Sequence, residues 1–179
     1  MNLERIGASH PLFEASFALY EASFPPNERR TREDHLRAMQ DADFSPLGAV
    51  EAGNLLADVF LWETENFSYL EHFAVQPSLR GHGCGTELLR QLLGRDKPLI
   101  LEIEPPEDDV CRRRKHFYER LGLVMGDFPH WQFPYQPGTE GAPLCIMAKP
   151  AISAAQYGAF YRFLRERVLI YTAYRPEAQ

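Results

Sequence analysis

The chain has 179 residues, 45% hydrophobic and 25% charged, with a net charge of −6. That length suits one domain, or one domain with a terminal extension, built around a sizeable core. The acidic balance disfavours nucleic acid as the main partner, and no apolar run reaches the roughly 18–20 residues that a bilayer span needs. Three widely spaced cysteines, Cys84, Cys111 and Cys145, argue against a disulfide framework. The opening MNLERIGASH has no apolar h-region and does not read as a secretory signal. A reduced, cytoplasmic compartment is the expectation.

Taken in order, Leu3 to Ile6 reads as a short strand. Pro11 to Phe24 places Leu12, Phe13, Phe17, Tyr20 and Phe24 near helical spacing, and Pro25-Pro26 ends that helix. Asn27 to Met39 reads as a second, more polar helix. Ser45 to Val50 and Leu55 to Glu63 form two strands around a turn at Gly53-Asn54. Phe67 to Val75, rich in aromatic and branched residues, is the next strand, closed by Pro77.

A glycine turn, Arg80-Gly81-His82-Gly83-Cys84-Gly85, follows and opens a helix carrying Leu88, Leu89, Leu92 and Leu93. Lys97 to Glu104 is then a strand that the intervening helix makes parallel to its predecessor. Asp108-Asp109 start a helix that puts Val110, Phe117 and Leu121 on one side and stops at Gly122. Val124 to Phe133 and Ala142 to Ala148 pair as a hairpin across a Pro- and Gly-rich loop. Ser153 to about Tyr171 is an amphipathic helix with apolar residues at 157, 160, 161, 164, 168 and 171. It packs on the domain or on a second subunit, which would make a homodimer. The fold class is α+β with a mixed, mainly antiparallel sheet. Residues 1–149 form the domain, and 150–179 the added C-terminal helix.

Strand, glycine turn and helix together bind anions. Glycines let backbone N–H groups approach, the helix N-terminus adds partial positive charge, and Arg80 adds a full one. A phosphate loop of the Walker type needs a lysine that is missing here. A dinucleotide fingerprint needs Gly-x-Gly-x-x-Gly, whereas the spacing here is Gly-x-Gly-x-Gly, preceded by a meander.

The stretch closely resembles the acyl-CoA site of the GNAT N-acetyltransferases, whose signature Arg/Gln-x-x-Gly-x-Gly/Ala lies between a strand and a helix. Leu70 to Pro77 is similar to that family's fourth strand, and Phe117-Tyr118-Glu119-Arg120-Leu121-Gly122-Leu123 resembles its Phe-Tyr-x-x-x-Gly-Phe element. Leu123 replaces the final aromatic. Cys111 and Arg114 stand where many relatives carry Asn and Ala. The resemblance covers about residues 1–149 and implies a GNAT-like fold with acetyl-CoA as co-substrate. It also implies a small-molecule or peptide primary amine as acceptor.

On that resemblance the loop Arg80, Gly81, His82, Gly83, Cys84, Gly85 and Thr86 holds the pyrophosphate. Backbone groups of Phe73, Ala74 and Val75 meet the pantetheine arm, and Tyr118 protonates the departing thiolate. Tyr118 otherwise reads as the core aromatic of its helix. Glu71 is the first candidate base, with His72 taking its place if the strand bulges locally. Glu102 and Glu104 share a strand face by their spacing. They either face a cleft that suits a cationic amine or lie at a solvent-facing edge. Arg29 and Arg30, in a segment similar to one in a bacterial GNAT subgroup, either meet an acceptor carboxylate or cap a helix in solvent. No metal site is expected, because the His and Cys spacing matches no zinc pattern. The alternative to an enzyme is a non-catalytic acyl-CoA-binding sensor or assembly module.

Overall fold

The computed structural model describes residues 1–174. In chain order it contains β1 (Asn2–Arg5), α1 (Phe13–Ser23), α2 (Arg32–Ala38), β2 (Phe44–Glu51), β3 (Asn54–Glu63) and β4 (Ser68–Val75). Then come α3 (Cys84–Leu93), β5 (Leu99–Ile103), α4 (Asp109–Glu119), β6 (Val124–Met125), β7 (His130–Gln132), β8 (Ala142–Lys149) and α5 (Ala154–Phe163). The sheet runs β1-β2-β3-β4-β5-β8-β6, with β7 also paired to β8. Every pairing is antiparallel except β4 with β5. The α+β reading and its C-terminal helix are both present.

Local chemistry sets these elements. Ala52 and Gly53 both have positive φ, at 48° and 77°, which a tight two-residue hairpin between β2 and β3 requires. Apolar residues alternate along the strands and feed two cores. One joins Phe17, Tyr20, Phe60, Trp62 and Tyr69 with Phe160 and Val168 of the C-terminal segment. The other joins Leu61, Leu70 and Leu101 with Leu88, Leu89 and Tyr118. Helices α1, α2 and α5 thus cover one face and α3 and α4 the other.

Four sequence expectations change. Residues 27–31 are not helical; α2 begins only at Arg32, where the Thr31 side chain accepts from the Asp34 N–H. The expected strand 124–133 is two short pieces, β6 and β7, with Gly126 and Pro129 between them. Val110 is 55% exposed rather than packed. The C-terminal helix keeps its period to Phe163, then widens into π-type turns over Leu164–Val168 and a 3₁₀ turn to Tyr171.

The feature that positions the site is a bulge. Phe60 faces His72, but Leu61 faces Leu70, so Glu71 is the extra residue of β4. A bulge bends its strand and re-aims side chains. Glu71 and His72 consequently both point to the α1 and α2 face, where Glu71 meets Trp62 and His72 packs on Tyr20.

Glu71 is there sealed from solvent, with its side chain 1% exposed and that of Arg30 0%. Arg30 donates to both its oxygens, at 2.8 and 2.7 Å, and Trp62 Nε1 and Tyr135 Oη donate at 2.8 and 2.6 Å. The guanidinium also lies between 5.4 and 5.6 Å from the Phe44, Trp62 and Tyr135 ring centres. Removing one partner of such a pair leaves a buried charge uncompensated, at about 3–5 kcal/mol. Glu71→Ala and Arg30→Ala should each lose about that much in urea unfolding. The double variant Arg30→Met, Glu71→Leu should lose clearly less than the two singles together; additive losses would show that the charges are not coupled.

A second buried carboxyl sits in β3. Asp58 is 0% exposed; Ser16 donates to its Oδ1 at 2.6 Å, and Oδ2 has no hydrogen-bond partner among the described residues. Burial pushes this carboxyl up to about 7, against the lowering effect of the Ser16 hydrogen bond. As pH rises, the unfolded chain therefore releases this proton first. The group's contribution is full below about pH 4 and is lost as pH climbs through 7. Measured against wild type, Asp58→Asn should gain relative stability between pH 4 and pH 7. A pH-independent difference would exclude a neutral Asp58 in the fold.

Candidate active site

Strands β4 and β5 are hydrogen-bonded in register over only three residue pairs, Ser68–Leu70 with Leu99–Leu101. Beyond them the strands part, and a cavity of about 660 Å³ opens between their ends. The bulge decides which backbone groups border it. Ser68 N–H points to Pro98 O on the β5 side, whereas Gln76 N–H points to Leu56 O beside β3. Alternation back from Gln76 turns Ala74 and His72 toward β3 and leaves Val75 and Phe73 facing the gap. Val75 O indeed receives the Nε of Arg80, at 3.0 Å, from the open side. Ala74 lines the cavity, but its backbone belongs to the sheet.

The glycine turn lies at one end. Gly81 and Gly83 have φ of 80° and 85°, and a Cβ at either would meet nothing within 4 Å. Gly83 is the N-cap of α3 and offers no side chain to its first turn. The N–H groups of Cys84, Gly85 and Thr86 therefore have no acceptor within the helix. Arg80, Gly81 and Gly85 line the cavity; His82 is exposed, with its Nδ1 3.0 Å from Arg80 O. Burial and the charge of Glu51 push the Cys84 thiol up, so the helix N-terminus does not make it a thiolate. Free amides, positive φ, open space and an arginine fit a pyrophosphate.

Tyr118 enters from α4. The left-handed Gly122 (φ 87°) folds the chain back so that Leu123 N–H reaches Tyr118 O at 3.2 Å. Leu123 fills core space at 2% exposure. The Tyr118 ring lines the cavity, and burial pushes its hydroxyl up to about 12, with the charge of Arg114 opposing. It therefore carries its proton throughout the neutral range.

Glu71 cannot serve as the expected base. Four donors saturate its oxygens. Burial alone would raise it, but the Arg30 guanidinium, with His72, holds it far below the usual carboxylate range. Arg30, sealed behind it, cannot reach an acceptor. Arg29 turns outward to Phe24 O and Glu21 and lies off the cavity. The acceptor-carboxylate role expected of either arginine is withdrawn.

His72 is better placed. Its Nε2 lies 2.7 Å from the main-chain oxygen of Glu28. A carbonyl oxygen only accepts, so Nε2 carries the hydrogen and Nδ1 presents a lone pair. That Nδ1 has no hydrogen-bond partner among the described residues, although the residue is only 4% exposed and lines the cavity. The nitrogen is itself closed off from solvent and faces Glu71 Oε2 at 3.7 Å. Tyr20 and Phe24 hold the ring edge-on, with centroids at 4.7 and 4.6 Å.

Glu102 and Glu104 both line the cavity rather than a solvent-facing edge. Glu102 accepts from Tyr69 Oη and lies 2.5 Å from His130 Nε2, while Glu104 pairs with Arg114. A third carboxylate, Glu28, went unnoticed beside the arginines. It lines the same cavity, half-buried, and its side chain accepts no hydrogen bond from any described residue. Burial raises it and the charge of Glu104 adds to the effect, while His72 and Arg114 oppose it. No local pattern marks it, because Asn27 O and Glu28 O are held by Tyr135, Gln132 and His72 from distant parts of the chain.

Comparison with known proteins agrees with this geometry. Residues 46–123 match the model of the acetyltransferase (GNAT) domain. A Bacteroides thetaiotaomicron protein named for the GNAT acetyltransferases superposes with a TM-score of 0.88 at 26% identity, covering 94% of this chain and 98% of that one. A GNAT acetyltransferase from Elizabethkingia anophelis with acetyl-CoA bound shares the fold, with a TM-score of 0.58 at 12% identity over 82% and 95% of the two chains. In sequence, 60 residues are 33% identical to YjbC of Bacillus subtilis (strain 168), named for an acetyltransferase. That match spans 32% of this chain and 31% of YjbC. Residues 46–123 thus carry a GNAT acetyltransferase domain, and the chain as a whole has the split-sheet fold of the GNAT acetyltransferases.

Proposed function

We propose that this protein transfers an acetyl group from acetyl-CoA to a primary amine by direct attack on the thioester, in the cytoplasm. The observation that carries the reading is the parting of β4 and β5 after three residue pairs. It sets the unpaired backbone of Phe73 and Val75, the glycine turn and Tyr118 around one cavity. The free edge of β4 suits an extended amide-bearing arm, in the manner of an added strand. Acetyl-CoA supplies the activated acyl group when bound, and the residues of this chain position it and move protons.

An alkylammonium with a pKa near 10 is neutral about one time in a thousand at pH 7, a cost of roughly 4 kcal/mol. His72 takes that proton at Nδ1 after a shift of the ring toward the gap, since this nitrogen is closed off in the empty cavity, and the nearby Glu71 carboxylate stabilises the imidazolium that results. Gap-facing N–H groups of Phe73 and Val75 are set to meet negative charge developing on the carbonyl oxygen. Tyr118, protonated throughout, donates to the departing sulfur.

CoA should raise the Tm of the protein where NAD and ATP do not, and Arg80→Glu should abolish the shift. A shift that survives in Arg80→Glu would move the pyrophosphate elsewhere. For the chemistry, His72→Gln and Tyr118→Phe should each lower kcat by about 10²–10⁴-fold while CoA affinity stays near wild type. Unchanged turnover in both variants would take these two side chains out of the chemistry, and no turnover by wild type across an amine panel would leave a non-catalytic acyl-CoA module as the better account.

A further inference from the structure

Glu102 is the first residue of β5 beyond the last position paired with β4, Leu101 with Leu70. It therefore stands at the fork where the two strands part. By alternation it shares a face with Ile100, which belongs to the core that the C-terminal segment closes. The Glu102 side chain is 14% exposed and lines the cavity, whereas that of its partner His130 is 0% exposed. The carboxylate is thus the open end of something sealed behind it.

The hydrogens behind Glu102 follow from the acceptors. Tyr157 Oη donates to Pro129 O at 2.8 Å, and a carbonyl oxygen only accepts. A tyrosine has one hydroxyl hydrogen, so toward His130 Nδ1, 3.0 Å away, the same oxygen accepts and Nδ1 donates. His130 Nε2 and Glu102 Oε1, 2.5 Å apart, share a single proton. Tyr69 Oη donates to the other oxygen, Oε2. A continuous chain thus runs from Pro129 through Tyr157 and His130 to Glu102, and it ends at the cavity. A carboxylate has about four lone-pair sites. Two are taken, which leaves room for a donor arriving in the cavity.

Ring packing, which is independent of those hydrogen bonds, ties both donors to α5. The His130 ring centre lies 5.8, 6.1 and 6.0 Å from those of Tyr157, Phe160 and Tyr161. Phe160 also meets Tyr69, at 5.1 Å and 66°. One helix therefore packs against both groups that hold Glu102. Tyr157 is itself anchored: it stacks on Phe128 at 4.4 Å with planes 4° apart, one turn past the Ser153–Gln156 capping box. The strand that carries His130 has three residues, paired to β8, so α5 has the larger part in placing the ring. A buried polar chain is often no more stabilising than apolar packing of the same volume. What apolar packing would not supply is the fixed carboxylate at its end.

We propose that His130 and Tyr157 are positioning residues, through which α5 holds Glu102 at the fork to accept an N–H of the acceptor amine and aim its lone pair at the thioester carbon. Given the N-acetyltransferase reading on which this rests, the C-terminal helix is a working part of the site. The proton that the ammonium loses goes to His72, across the fork on β4, so Glu102 binds an N–H without taking it. The His130–Glu102 pair keeps its charge throughout, and its contribution is to orientation.

Tyr157→Phe removes the hydroxyl and keeps the ring on Phe128. With n-butylamine, spermidine and an alanyl peptide as probes, and the fastest used throughout, it should lower kcat about 3–10-fold, the effect of one hydrogen bond. KM for acetyl-CoA and the Tm shift with CoA should stay at wild-type values. His130→Leu should lower kcat further, and His130→Gln, which keeps a donor for Glu102, should recover part of that loss. In a Glu102→Gln background Tyr157→Phe should change kcat by less than about twofold, because the two act as one unit. Proton NMR gives a readout free of turnover. The N–H shared by His130 and Glu102 should resonate downfield of the amides, vanish in His130→Gln and move in Tyr157→Phe. No loss of kcat in Tyr157→Phe, an equal loss in both backgrounds, or a resonance indifferent to Tyr157 overturns this inference but leaves N-acetylation standing. Absence of turnover by wild type with every probe overturns both.

Discussion

The carboxylate of Glu71 exists as an anion inside the protein only because Arg30 lies against it, and the geometry of the site follows from that pair. Arg30 comes from the connection between α1 and α2, and its partner is the extra residue of the β4 bulge. Trp62 from β3 and Tyr135 from the loop before β8 complete the cage. Arg30 also reaches Val168 O in the C-terminal segment. A buried pair of this kind is often no more stabilising than apolar residues of the same volume. Its contribution here is to register. A one-residue slip in β4 would reverse every side chain beyond it, and the pair fixes that slip at one position.

What the register fixes is the layout of the cavity and of the proposed base. With Glu71 as the extra residue, His72 turns to the same face. Phe73 and Val75 then offer their backbone to the gap rather than to β3. Two residues before Arg30, the Glu28 carbonyl binds His72 Nε2 and so determines which ring nitrogen keeps its lone pair. The base, its tautomer, the strand edge and the free carboxylate are all set by one connection laid over one bulge. Helix α5 and the turns after it close the same core behind Trp62, Phe160 and Tyr69, which is why the C-terminal segment packs on the domain.

The sequence discloses those parts whose physics is local. The glycine turn shows because positive φ selects glycine; Tyr118 shows only through the resemblance of Phe117 to Leu123 to a family element, since the helix period itself put Val110, Phe117 and Leu121 on the apolar side. The alternation that put Glu71 on the face of Tyr69 is also local, and it holds. What alternation does not carry is the partner above that face. Arg30 lies 41 positions away, and no period links the two. The same distance effect explains residues 27–31, which have a helical composition but spend their carbonyls on other segments: Asn27 O serves Tyr135 N–H and Gln132, and Glu28 O serves His72. Tertiary demand there overrides a weak propensity.

The four glutamates of the cavity show how identical side chains diverge in use. Chemical availability falls as donors fill the oxygens of a carboxylate, because each hydrogen bond to the charged form lowers its basicity. Glu71 accepts from four donors and is spent on structure. Glu102 engages Tyr69 and His130, and Glu104 engages Arg114. Glu28 accepts from none of the described groups and remains open to a ligand. Along the same gradient the side chains move from sealed to half-open, so the carboxylates most able to bind an ammonium are those an incoming amine can reach. Arg80, at the opposite end, reserves the other half of the cavity for an anion. The cavity is thus divided by charge, with Arg80 and the open amides of α3 at one end and the carboxylates at the other, and the two halves meet where β4 and β5 part.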